Sequence, residues 1–243
     1  STGGAIYSSK KFSTSNLTFE GNEANWGGAI FASKGVELNN VSFNENIANK
    51  QGGAIYISKG DSVLADCTFT KNGSQAIFIN HENNGTTKIS NTSFTENYSN
   101  SFGGGIYLGK NSKLIVNWST FTKNEAAYGA GISSAGTGEV DKELTNIKVD
   151  SSTFTDNLSL MGAGIYTAFP TEINKCTFTK NKADVHPQDD QTNPHDSGVG
   201  GAVEVIDNKT VIKASTFEEN WAYGSGGALG ISGVTRNEAK DIT

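Results

Sequence analysis

Two short motifs alternate along this chain, and their spacing constrains the fold more than any other feature. The first is a glycine-rich tetrapeptide closed by an aliphatic residue. It reads GGAI at residues 3–6, 27–30 and 52–55 and recurs in weaker form at 74–77, 103–106, 129–132, 162–165, 200–203 and 226–229, nine copies in all. The second is F-x-x-N, eight times, at Phe19/Asn22, Phe43/Asn46, Phe69/Asn72, Phe94/Asn97, Phe121/Asn124, Phe154/Asn157, Phe178/Asn181 and Phe217/Asn220. The usual interval is 24 to 27 residues, too short for a helix pair or a propeller blade and right for one coil of three short strands. Strand-length runs rich in Thr, Val, Ile, Phe and Tyr alternate with Asn and Gly turns, without an i, i+3, i+4 apolar stripe. The expected fold is therefore all-β, a right-handed parallel β-helix of about nine coils. It forms one domain over 1–243 with insertions at 80–88, 133–146 and 182–199. Nine glycine motifs against eight F-x-x-N arms leave the last coil incomplete.

Aligning the coils on phenylalanine turns the sequence into columns, because equivalent residues of successive coils sit about 4.8 Å apart. The Phe column faces inward. Five residues earlier runs an aliphatic column, Leu38, Leu64, Ile89, Val116, Val149, Ile173 and Ile212, and the aliphatic residue of the glycine motif supplies a third wall. Together they fill the interior and leave no lumen for a ligand. The asparagine three places after each Phe is expected at a tight corner, where stacked amides bond one another and the turn backbone, with only Ala or Ser two residues on. Sequons on ladder members, Asn72, Asn97 and Asn157, should then stay unglycosylated. Thr or Ser precedes every Phe and Thr follows five of them, which paves one outer face with hydroxyls. Cross-strand threonine pairing explains the pattern, and an ice-binding face is the sharper alternative. Two places after Phe the charge alternates from coil to coil, Glu45, Lys71, Glu96, Lys123, Asp156, Lys180 and Glu219, an arrangement that penalises a one-coil slip. Cys67 and Cys176 share one inward column four coils apart, beyond disulfide reach, so both should be free and buried.

Composition narrows the function. With a formal net charge of -6 and a single arginine, Arg236, the chain has no phosphate-reading surface, so nucleic acid is not an expected partner. No apolar run approaches the roughly 20 residues of a membrane span. Nine N-x-[ST] sequons among 26 asparagines favour an extracellular or cell-surface glycoprotein.

The alternating GGA[ILV] and F-x-x-N motifs, such as Gly27-Gly28-Ala29-Ile30 and Phe43-Asn44-Glu45-Asn46, resemble the repeats of the chlamydial polymorphic outer-membrane proteins and of other large adhesin-like surface proteins. The resemblance covers essentially the whole chain. It implies a β-helical passenger of an autotransporter that adheres to host cells, although the family's C-terminal translocator barrel has no counterpart here.

β-Helices also carry polysaccharide lyases and hydrolases, so an enzyme is the rival class. The one concentration of suitable groups is the 182–199 insertion, where Asp189, Asp190 and Asp196, with His186 or His195, could hold calcium or a transition ion. A solvated, proline-punctuated loop is the plainer reading of that segment, and no other cofactor motif is present. A second candidate is a surface column directly after the motif aliphatic: Tyr7, Phe31, Tyr56, Phe78 and Tyr107 in consecutive coils, and Tyr166 later. By period-2 alternation these side chains face outward, where aromatics suit sugar stacking or lateral protein packing. The sequence thus points to a non-enzymatic adhesive or structural module. Its expected partners are a host surface, a glycan or further copies of itself, through head-to-tail assembly or as a fragment of a longer solenoid.

Overall fold

The structure, a computed structural model, describes residues 1–81, 85–134, 146–184, 198–206 and 209–232, together with the backbone of 238–240. All described regular structure is strand, and the pairing is parallel throughout. Three long sheets run along a solenoid. The glycine-motif face has nine strands, from Ile6–Ser8 to Leu229–Ser232; the second face has nine, from Phe12–Ser15 to Glu238–Lys240; the phenylalanine face has eight, from Thr18–Glu20 to Thr216–Glu218. Eight coils are therefore complete and a ninth is partial, as the motif count requires.

Register follows the expected columns. Ile30 pairs with Ile6 and Ile55, Leu64 with Leu38 and Ile89, and Phe69 with Phe43 and Phe94. The rings of successive phenylalanines stack at 4.7–5.1 Å, nearly parallel, from Phe19 to Phe217. Those from Phe43 to Phe178 are fully buried, as are the facing isoleucines of the glycine motif. Each such side chain contributes about 1.5–3 kcal/mol by leaving water, so the core is a continuous rod whose stability accumulates coil by coil.

Two kinds of corner turn the chain. Every coil places one residue in the left-handed region before the phenylalanine strand (Asn16, Asn40, Asp66, Asn91, Trp118, Ser151, Lys175, Ala214) and one after it (Gly21, then the alternating charges Glu45 to Glu219). At the second corner the asparagines form the expected ladder. Asn72 donates through Nδ2 to Asn97 Oδ1 at 3.0 Å and to the Phe43 carbonyl at 3.0 Å, while its backbone N–H also reaches Asn97 Oδ1 at 3.0 Å. The same three bonds repeat in neighbouring coils, and Asn46 through Asn181 have no exposed surface. At the first corner lies a second ladder that the sequence reading missed. Hydroxyls two places before Phe accept the backbone N–H of the coil below, as in Cys67 to Thr92, Thr92 to Ser119, Ser119 to Ser152 and Cys176 to Ser215. Each donates in turn to its own turn carbonyl. The signal was a Ser, Thr or Cys in six of the seven coils from Cys67 back to Val41 and on to Ser215.

The coil also carries more than the three strands expected. A short fourth stack follows the asparagine corner, Glu23–Trp26 on Ile47–Gln51 and then five strands from Tyr98–Phe102 to Trp221–Ala222. The intervening coil is too short to supply one, and Gly73 alone bridges Ile47 and Tyr98. There Gln75 takes the buried position: its side-chain oxygen accepts the Gly52 N–H at 3.3 Å and its Nε2 donates to Ser99 Oγ at 3.0 Å. Ser74, read as a small corner residue like Ala48 and Ser99, is instead partly exposed at φ 63°. The strand Gly85–Ser90 takes up the end of the 80–88 insertion.

The double glycine of the motif has a steric cause. Gly27 is left-handed at φ 63°, and a Cβ on Gly28 would lie 2.0 Å from the carbonyl oxygen of Gly53 in the next coil. Successive coils approach too closely here for a side chain.

Candidate contact surface

The column Tyr7, Phe31, Tyr56, Phe78, Tyr107 does face away from the core, since the strands carrying it alternate buried isoleucine with a less buried aromatic. Its exposure differs from the expectation. Tyr7 is 57% exposed, Phe31, Tyr56 and Tyr107 are half-buried, and Phe78 is only 6% exposed. The cause is mutual cover. Rings of consecutive coils stack at 5.6, 4.9, 5.0 and 4.8 Å with interplanar angles of 6–18°, so each ring's faces are turned to its neighbours. What reaches solvent along the inner rings is mainly ring edge, and Tyr7 at the start of the stack keeps a face without a stacking partner among the described residues. Within the stack a ligand therefore meets ring edges more than ring faces.

In the sixth coil the column holds Ser133, with Tyr107 and Tyr166 on either side of it. Two aromatics from the fourth stack close the gap. Phe102 stacks on Tyr128 at 4.9 Å and lies 6.0 Å from Tyr107 and 6.2 Å from Tyr166, while Tyr128 lies 5.3 Å from Tyr166. The result is one aromatic ridge along most of the solenoid, and Phe102 and Tyr128 are members that column alignment could not assign because they come from another strand. Burial raises the phenols of Tyr107 and Tyr166 above their ordinary value, so both stay neutral hydrogen-bonding groups.

Beyond Tyr166 the column continues with Glu204 and Gly230. Glu204 is 1% exposed; Oε1 accepts the Ser232 hydroxyl at 2.8 Å and Oε2 has no hydrogen-bond partner among the described residues. Burial raises its pKa above the usual carboxylate value, partly offset by the serine bond. His81 is also buried, held by the Thr87 hydroxyl at 3.2 Å, and loss of hydration lowers its pKa to about 4.

Asp189, Asp190 and Asp196 lie outside the described residues, as do His186 and His195. Among the described residues no three His, Cys, Asp or Glu side chains gather as metal ligands. The alternating charges face solvent on their corner; Lys71 and Glu96 approach to 3.8 Å and Lys180 and Glu219 to 3.5 Å, exposed pairs of about 0–1 kcal/mol. The hydroxyl file of the phenylalanine face points outward as expected, with Thr68 Oγ1 donating to Ser42 Oγ at 3.0 Å. Cys67 and Cys176 are free and buried. No helix of the described residues is long and apolar enough to cross a membrane.

Neither a curated protein nor a solved structure matches the chain. The family model described as "right handed beta helix region" matches residues 1–154 and, in a second overlapping register, 32–195, which together span well over half of the sequence. Stacked parallel coils, a filled core and this match agree, and the chain belongs to the right-handed β-helix family.

Proposed function

We propose that this β-helix is a non-catalytic contact module of an extracellular surface, adhering to a host surface or glycan or packing against further coils. The observation that carries the reading is the aromatic ridge. A rigid parallel stack fixes rings from Tyr7 to Tyr166 along one face of the solenoid. Exposed apolar files of this length mark interaction surfaces. The resemblance of the repeats to those of chlamydial polymorphic outer-membrane proteins supports the same class.

The test is a double variant, Phe31→Ser with Tyr56→Ser, in the full chain. Serine already occupies this column at Ser133, so the coil accepts it. Adhesion to cells and lateral self-association, followed by sedimentation, should fall, while a control at Thr122 and Thr155 on the hydroxyl file leaves both unchanged. Unaltered adhesion in the ridge variant overturns the proposal. So does cleavage of polysaccharide by the wild-type chain, which would establish the lyase or hydrolase reading instead.

A further inference from the structure

Beside the aromatic ridge runs a second column, at the corner that leaves the glycine-motif face. Three places after the aromatic stand Lys10, Lys34, Lys59, His81 and Lys110, in the five coils that carry the uninterrupted ring stack. The corner is in register: the backbone N–H of Ser33 bonds the Ser8 carbonyl, Ser58 that of Ala32, Asn80 that of Ile57 and Gly109 that of Ile79, at 2.7–2.9 Å. Like residues of adjacent coils therefore lie one strand spacing apart. Lys10 and Lys34 are exposed, Lys59 and Lys110 partly so, and the buried, neutral His81 interrupts the file.

Three lysines stacked directly above one another repel, which is the arrangement this fold avoids elsewhere. On the asparagine corner every cation from Lys71 to Lys180 has an acid above and below it. Lys11 and Lys148, on the neighbouring face, are paired with Glu37 and Glu172. Lys10, Lys34 and Lys110 have no carboxylate partner among the described residues, whereas Lys59 makes an interaction of its own. The adjoining rings show solvent their edges, the electropositive part of an aromatic quadrupole. Lysine file and ring edges thus favour the same thing, oxygen anions repeated along a line parallel to the solenoid axis.

We propose that the seam between the aromatic ridge and the Lys10–Lys34–Lys59–Lys110 corner binds a linear anionic polysaccharide lying along the helix. The inference rests on the contact reading above and names its ligand class. Nucleic acid fits less well, because the ring faces that bases would stack on are already occupied.

The experiment measures retention of the full chain on immobilised dextran sulfate, polygalacturonate, neutral dextran and double-stranded DNA across a salt series. The variants are Lys10→Gln with Lys34→Gln and, as control, Lys71→Gln with Lys123→Gln. The proposal expects salt-sensitive binding to one or both anionic glycans, weakened about tenfold by the corner variant and unchanged by the control; the sulfated and carboxylated arms separate the two anionic groups. Equal losses in both variants mean diffuse charge and overturn it, as does DNA binding as tight as glycan binding. Ridge-dependent adhesion without anionic-glycan binding defeats this inference and leaves the contact reading standing. Loss of every form of binding defeats both.

Discussion

The asparagine ladder is directional, and that direction makes one residue type cost very different amounts at two positions. Asn124 accepts the backbone N–H of Asn97 and one Asn97 Nδ2 hydrogen on its side-chain oxygen, both at 3.0 Å, inside a fully buried corner. Replacing Asn124 with leucine, similar in volume, strands both donors away from water. At about 1–3 kcal/mol for each orphaned buried group, the loss is about 2–6 kcal/mol, a large share of the roughly 5–15 kcal/mol that holds an ordinary domain together. Asn22 donates to Asn46 Oδ1 through both its backbone N–H, at 3.0 Å, and its Nδ2, at 2.8 Å, and among the described residues its own Oδ1 accepts nothing. Asn22→Leu removes one bond, leaves Asn46 Oδ1 served by the backbone N–H, and should cost about 1 kcal/mol or less. Thr122→Ala, on a partly exposed outward position, should stay within about 0.5 kcal/mol. Equilibrium denaturation of the three variants measures this directly, and hydrogen exchange should localise the Asn124 defect to the coils on either side. Equal shifts for Asn124→Leu and Asn22→Leu would refute the directional ladder; equal shifts for all three would refute buried amides as a source of stability.

Three further outcomes are expected. In the native monomer Cys67 and Cys176 should resist a thiol reagent at pH 8, because burial raises both thiols, Cys176 to about 11, and both should react on denaturation; fewer than two thiols in the denatured monomer contradicts the column that places them four coils apart. Glu204 has a raised folded pKa, so it binds more protons folded than unfolded; stability is greatest below its ordinary value of 4.5 and falls as pH rises through the folded value, and Glu204→Gln should raise the melting temperature at neutral pH and flatten that slope, whereas an unchanged profile would show the carboxyl to be solvated. Gly28→Ala drives a methyl to within 2.0 Å of the Gly53 carbonyl oxygen and should prevent folding or lower the unfolding midpoint severely, while Gly21→Ala, with open space but φ +63°, should cost only about 1–2 kcal/mol by the same denaturation assay.

The sequence by itself determined the fold, the register and the identity of the core. A solenoid repeats its environment every coil, so Phe43, Leu64 and Ile55 each announce a column by recurrence, and the same recurrence marks Asn72 and Asn97 as one ladder. It also fixed which way Tyr56 points, because strand alternation is local. Other features depended on contacts between elements whose separation in sequence varies. Phe78 is buried because rings above and below cover it, and Phe102 and Tyr128 join the ridge from a fourth strand stack that the short coil at Gly73 interrupts. The lysine corner emerges only when backbone bonds align Lys10, Lys34, Lys59 and Lys110 across coils of unequal length. Hydrophobic periodicity is written residue by residue along the chain, whereas mutual cover and charge alignment belong to the stack, and only the tertiary structure could decide them.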